Sequence, residues 1–148
     1  MSENLLSSLN ESQKVAAQHI DGPMLILAGA GSGKTKTITT RLAYLISIGI
    51  DPRSILTLTF TNKAATQMRE RAFSMLDPSM INTPPLLCTF HKFGLLFLKF
   101  HMSELDRKNN FIIIDTDDKK RIIKSLEKDI TTSLLVAEIS RYKNSLLT

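Results

Sequence analysis

The sequence predicts an α/β fold in which parallel strands alternate with helices. Three observations carry that prediction. A glycine-rich loop at residues 28–35 lies between an apolar run and an amphipathic helical pattern. Further along, strand-like apolar segments, alternating at residues 55–60 and continuous at 86–88, twice give way to a helical pattern. Asp51-Pro52, Asp77-Pro78 and Pro84-Pro85 punctuate those switches, as turn chemistry requires. A chain of 148 residues with 43% hydrophobic content and no low-complexity stretch can fill one ordinary core.

Asn10, followed three residues later by Gln13, forms a capping-box pattern that opens a helix through about Ile20, and Gly22-Pro23 ends it. The apolar residues 24–27 then read as the first strand. After the glycine loop, Ile38, Leu42, Leu45 and Ile46 share one helical face, and Gly49 is placed to stop that helix. Residues 55–60 alternate Leu56, Leu58 and Phe60 against Thr57 and Thr59, a strand pattern. Residues 64–76 return to helical spacing through Ala65, Met68, Ala72 and Met75. A third strand is expected at residues 86–90 and a helix from about Phe93 to His101. The order is β-α-β-α-β-α, and right-handed crossovers lay three such strands parallel with one shared carboxyl edge. Ligands bind at that edge in sheets of this kind. Three tips therefore face one side: the glycine loop, Phe60-Thr61-Asn62-Lys63, and Phe90-His91-Lys92.

The loop reads Ala28, Gly29, Ala30, Gly31, Ser32, Gly33, Lys34, Thr35. It is a phosphate-binding loop with Ala28 where the strict pattern has glycine. The remaining glycines let backbone N–H groups curl around an anion. Lys34 supplies a point charge for β and γ phosphates, Thr35 a hydroxyl for Mg²⁺, and the following helix turns its positive end to the same place. A bound nucleoside triphosphate with Mg²⁺ is the expected cofactor. Aromatic, amide and cationic groups on the other two tips suit single-stranded nucleic acid, whose bases stack while its phosphates meet cations.

Composition narrows the setting. No apolar run reaches the 18 or so residues that span a bilayer, and the first ten residues lack the basic and apolar regions of a secretion signal. Cys88 is the single cysteine, so no internal disulfide forms. A cytoplasmic protein is expected. The net charge of +5 leans toward a polyanion partner without identifying one.

Taken together, the glycine loop, residues 58–72 and residues 89–94 resemble the UvrD/Rep/PcrA-type superfamily 1 DNA helicases. The resemblance implies a P-loop NTPase fold: residues 1–102 as the first part of a RecA-like ATP-binding motor domain, and 103–148 as the start of a mainly helical insertion. It also implies ATP and Mg²⁺ as cofactors, single-stranded DNA and duplex–single-strand junctions as partners, and 3′ to 5′ translocation that unwinds duplex. Gln13 is placed to read the adenine edge, and Lys36, where relatives commonly carry Arg, to lie beside the phosphates. Phe60 is placed near the bases, Thr61, Asn62 and Lys63 near the strand's backbone, and His91 against the same strand. Residues from about 111 to 129, with Ile114, Asp115 and Asp118, resemble the opening of the insertion. Lys92 stands where a smaller or neutral residue is usual.

No Asp-Glu pair follows an apolar strand after Phe90, and family members are several times longer. The expectation is therefore an amino-terminal portion that binds nucleotide with little turnover, and whose open sheet edge favours self-association. Plainer roles stand beside these. Gln13 completes a capping box, Phe60 continues a core face, His91 sits at a helix start, and Lys63 can be a solvated charge. Asp115, Asp117 and Asp118 read as a helix cap before they read as a metal cluster. A helicase fused to a nuclease, or a nucleotide-gated DNA-binding module without motor activity, are the alternatives in function.

Overall fold

The computed structural model describes residues 2–108, 110–126 and 131–146. The chain divides into two compact units, Met1–His101 and Met102–Thr148. In the first, the order is α1 Ser2–Leu6, α2 Glu11–Gln18, α3 Lys34–Ser47, β1 Leu56–Thr59, α4 Asn62–Phe73, β2 Leu86–Thr89 and α5 Phe90–His101. The sheet has two parallel strands, in register from Leu56 opposite Leu86 to Thr59 opposite Thr89. A parallel pair needs a crossover, and α4 provides it. The Thr61 side chain caps that helix by accepting from the Ala64 N–H at 3.1 Å. Its Ala65, Met68 and Ala72 are buried, at the spacing that puts them on one face.

Those residues meet Leu42, Ala43 and Ile46 of α3, together with Leu76 and Leu87, in the main core. Each fully buried aliphatic side chain of this size contributes about 1.5–3 kcal/mol. A second cluster, Leu6, Leu9 and Ala17 with Tyr44 against it, fastens α1 and α2 onto α3. Arg41 of α3 strengthens that seam, donating to the carbonyls of Ala16 at 3.0 Å and of His19. It thereby satisfies the orphan carbonyls at the end of α2. Burial holds its guanidinium pKa below the ordinary arginine value.

Residues 24–27 do not form the expected strand. They pair with no other segment among the described residues, and Leu25 and Leu27 are 81% and 84% exposed. A strand is made by its neighbour's ladder, and β1 pairs with β2 alone among the described residues. The sheet therefore carries two strands rather than three, and two tips rather than three leave a common edge. The helix expected from about Phe93 begins at Phe90 instead, because the Thr89 hydroxyl accepts from the Lys92 N–H at 3.2 Å and starts the helix where the strand ends. The helix expected over residues 64–76 runs instead over Asn62–Phe73, since the Thr61 cap fixes its start.

In the second unit, a 3₁₀ turn at Met102–Leu105 precedes α6 Thr116–Leu126 and α7 Thr132–Asn144. Asp115 accepts from the N–H groups of Asp117 and Asp118, each at 2.8 Å, and its own N–H donates to the Asp118 carboxylate at 3.2 Å. The aspartates form a reciprocal cap, and no cluster of three or more His, Cys, Asp or Glu side chains that could hold a metal occurs among the described residues. Of the stretch 111–129, residues 127–129 lie outside the described residues. No described helix is long and apolar enough to cross a membrane.

Candidate functional site

The glycine loop is held by its own polar groups. Gly31 and Gly33 sit at φ of 74° and 83°, the left-handed region that glycine enters without a steric penalty. The Ser32 hydroxyl donates to the Gly29 carbonyl at 2.7 Å. Lys34 folds back over the loop and donates to the carbonyls of Ala28 and Gly29, both at 2.7 Å. An ammonium has three donors, so one N–H of Lys34 stays available at the mouth. The Thr37 N–H bonds the Gly33 carbonyl at 2.9 Å and begins the ladder of α3, leaving the helix's first N–H groups facing the loop. Thr35 is exposed, and its hydroxyl has no hydrogen-bond partner among the described residues.

Gln13 joins this loop to α2. Its Oε1 accepts from the Asn10 N–H at 3.1 Å while the Gln13 N–H donates to Asn10 Oδ1 at 2.9 Å, so the capping box is complete. Its Nε2 donates to the Ser32 carbonyl at 3.0 Å. A side-chain amide has two donors and two acceptor positions, which leaves one of each on the outward edge. The capping role is therefore real and leaves a hydrogen-bonding edge for a ligand. Lys36, adjacent to the loop in sequence, reaches the other way and donates to the Ser8 carbonyl.

The second set of side chains lies where β1 and β2 end. Thr59 donates through its hydroxyl to the Thr61 carbonyl at 2.9 Å, and the chain turns there out of the strand. Phe60, one residue past the ladder, is 92% exposed. That overturns the core reading of Phe60. Its ring meets Phe90, itself 52% exposed, with centroids 5.6 Å apart and planes tilted by 42°. Thr61, Asn62, Lys63, His91 and Lys92 are all exposed on the same two tips. No hydrogen bond joins His91 to Asn62 or Lys63 among the described residues. Neither segment 52–69 nor segment 78–103 contains an Asp or Glu, so this edge is cationic by composition.

Two side chains and one ring pairing escape a reading of local pattern. Arg41 anchors the end of α2, Arg69 donates to the Leu87 carbonyl at 3.0 Å and ties α4 to β2, and Phe90 pairs with Phe60. The one available signal was register, since Phe60 and Phe90 each follow the last paired threonine of their strand.

The model of the UvrD/REP helicase N-terminal domain matches residues 9–147. The chain is 46% identical over 133 residues to a probable DNA helicase II homolog of Mycoplasma capricolum, covering 89% of this chain and 18% of that protein. It is 42% identical over 130 residues to the ATP-dependent DNA helicase PcrA of Bacillus subtilis, covering 87% of this chain and 17% of that protein. Against the ATP-dependent DNA helicase Rep of Escherichia coli the identity is 38% over 147 residues, covering 95% and 22%. The chain thus spans about a fifth of the length of these relatives.

Proposed function

The chain belongs to the UvrD/REP helicase family through its N-terminal domain, and from that premise we propose that it is the nucleotide- and strand-contacting portion of an ATP-dependent DNA helicase. In this reading residues 1–102 are the first part of a RecA-like motor domain and 103–148 open a helical insertion. The activity is translocation along single-stranded DNA with separation of the duplex at its junction.

The observation that supports it most is the coupled loop. Gly31 and Gly33 turn the backbone as a phosphate nest requires, Lys34 holds one free donor at the mouth, and Gln13 is bonded directly to Ser32. Residues 28–35 would hold the phosphates, Thr35 the Mg²⁺, and the outward edge of Gln13 the adenine. A bound nucleotide supplies the hydrolysable phosphoanhydride. The chain's own groups position and neutralise it: Lys34 by charge, the N–H groups at the start of α3 by their dipole. Lys36, turned to Ser8, plays a supporting part in seating α1. At the sheet edge Phe60 offers a ring face to a base, while Thr61, Asn62, Lys63 and His91 meet the strand.

Turnover by this chain alone is expected to be slow, because its 148 residues contain no Asp-Glu pair to hold Mg²⁺ and orient water. Equilibrium binding of a fluorescent ATP analogue tests the reading. Lys34→Ala should weaken it by about tenfold or more, the effect of losing a charge-assisted contact, and unlabelled ATP should compete better than GTP. Equal binding by wild type and a folded Lys34→Ala protein would return the loop to a structural turn.

A further inference from the structure

We propose that Phe90 is the positioning residue of the strand-binding edge: its ring buttresses Phe60 and sets the plane on which a nucleobase stacks, without itself touching the base. The inference rests on the strand-binding reading of Phe60 and deepens it. Phe60 stands 92% exposed at the end of β1, beyond the last rung of the ladder. Alone, such a ring would be free to rotate and would lose that freedom on binding. Phe90 holds it from one side. The centroid distance of 5.6 Å falls within the preferred range for aromatic pairs, with the planes tilted by 42°, and rings in that contact leave no room for a base between them. The face of Phe60 turned away from Phe90 is the one left for stacking.

Two exposed phenyl rings would also suit an apolar protein surface, and charge decides against it. The segments that carry the rings contain no acidic residue, and Lys63, His91 and Lys92 are exposed beside them. That combination fits a polyanion with flat bases. Register makes the pairing dependable, because Thr59 and Thr89 are partners and the residue that follows each strand is the phenylalanine.

Binding of a fluorescein-labelled oligothymidylate to the full chain, followed by anisotropy at low salt, tests this. Phe60→Ala should lose affinity about 5- to 150-fold, the loss of one stacked base. Phe90→Ala should lose about two- to twelvefold, the effect of one side chain left to be ordered, and should lose nothing further when Phe60 is already Ala. Phe90→Tyr, which keeps the ring, should bind as wild type. Phe90→Leu, which keeps apolar volume at the start of α5, should melt with wild type and still bind as weakly as Phe90→Ala. An oligonucleotide carrying 2-aminopurine at the contacted position should lose part of its quenching in Phe90→Leu.

Additive losses in the Phe60→Ala, Phe90→Ala double variant would show Phe90 on the nucleic acid itself and overturn the buttress. Wild-type affinity in Phe90→Leu would overturn it as well. An unchanged affinity in Phe60→Ala would instead strike the strand-binding reading on which the buttress stands.

Discussion

Two apolar runs of the same length meet opposite fates. Residues 24–27, Met-Leu-Ile-Leu, are the more hydrophobic and stay unpaired, with Leu25 and Leu27 over 80% exposed. Residues Leu86–Thr89, Leu-Leu-Cys-Thr, form β2 and place Leu87 and Cys88 at 2% exposure. Apolar content makes a segment available for a sheet, while a partner makes it a strand. β2 has β1 alongside and α4 across one face, and Arg69 clips its backbone to that helix. Residues 24–27 pass from Gly22-Pro23 straight into the glycine loop with no ladder on either side.

The sharpest test of that contrast applies one substitution to both runs. Leu87→Ala should cost about 2–5 kcal/mol of stability in urea denaturation, the range for a buried leucine that leaves a cavity. Leu27→Ala should stay within about 0.5 kcal/mol, as exposed substitutions do. A Leu27→Ala loss of the same size as at Leu87 would mean that residues 24–27 find a partner in solution, and the contrast would fail.

The glycine loop offers a smaller contrast of its own. At Gly33, φ is 83° and an added Cβ would come within 2.9 Å of Gln13 Nε2, whose amide already holds Asn10 and Ser32. Gly33→Ala should cost about 1–2 kcal/mol from the left-handed backbone, and more where Gln13 must give up Ser32. Around Gly29 there is open space and no left-handed φ, so Gly29→Ala should be nearly silent. Thermal melting of the pair reads the difference, and equal shifts would remove Gln13 from the account of the loop.

The smallest effect is expected at the turn that feeds β1. Arg53 hydrogen-bonds the Asp51 carboxylate through side chain and backbone and holds its pKa below the usual aspartate value. A carboxylate depressed in the folded state stabilises it above the unfolded pKa of about 3.9, and the contribution is lost as pH falls through the lower folded value. Asp51→Asn should therefore melt slightly below wild type at pH 7 and together with it at about pH 2. A gap that persists in acid would assign the effect to something other than the charge.

What the sequence disclosed follows the range over which each feature is decided. The Asn10–Gln13 box closes within four residues, the face of α4 within two turns, and the glycine loop within eight. All three were legible. The fate of residues 24–27 depends on whether another backbone lies alongside, which no local pattern reports. Arg41 looks like any helical arginine until Ala16 and His19 are seen beneath it. Phe60 looked like the end of an alternating strand, because the Thr59–Thr61 turn that flips it outward involves one hydroxyl. Phe90 could be paired with Phe60 only through the strand register.

The amide of Gln13 also carries a consequence for the order in which this molecule takes shape. Every hydrogen bond that shapes the glycine loop, and those that seat its flanking helices, join groups between Ser8 and Arg41. The loop's own bonds close over three to six residues, whereas Gln13 to Ser32, Arg41 to Ala16 and Lys36 to Ser8 span 19, 25 and 28, so position along the chain rather than closure length sets the order. During synthesis, which delivers the amino-terminal residues first, these bonds have all their partners in hand well before Leu86 is made. The parallel pairing of β1 with β2 has to wait for a crossover of more than twenty residues. The loop is thus an early feature of the growing chain and the sheet edge a late one.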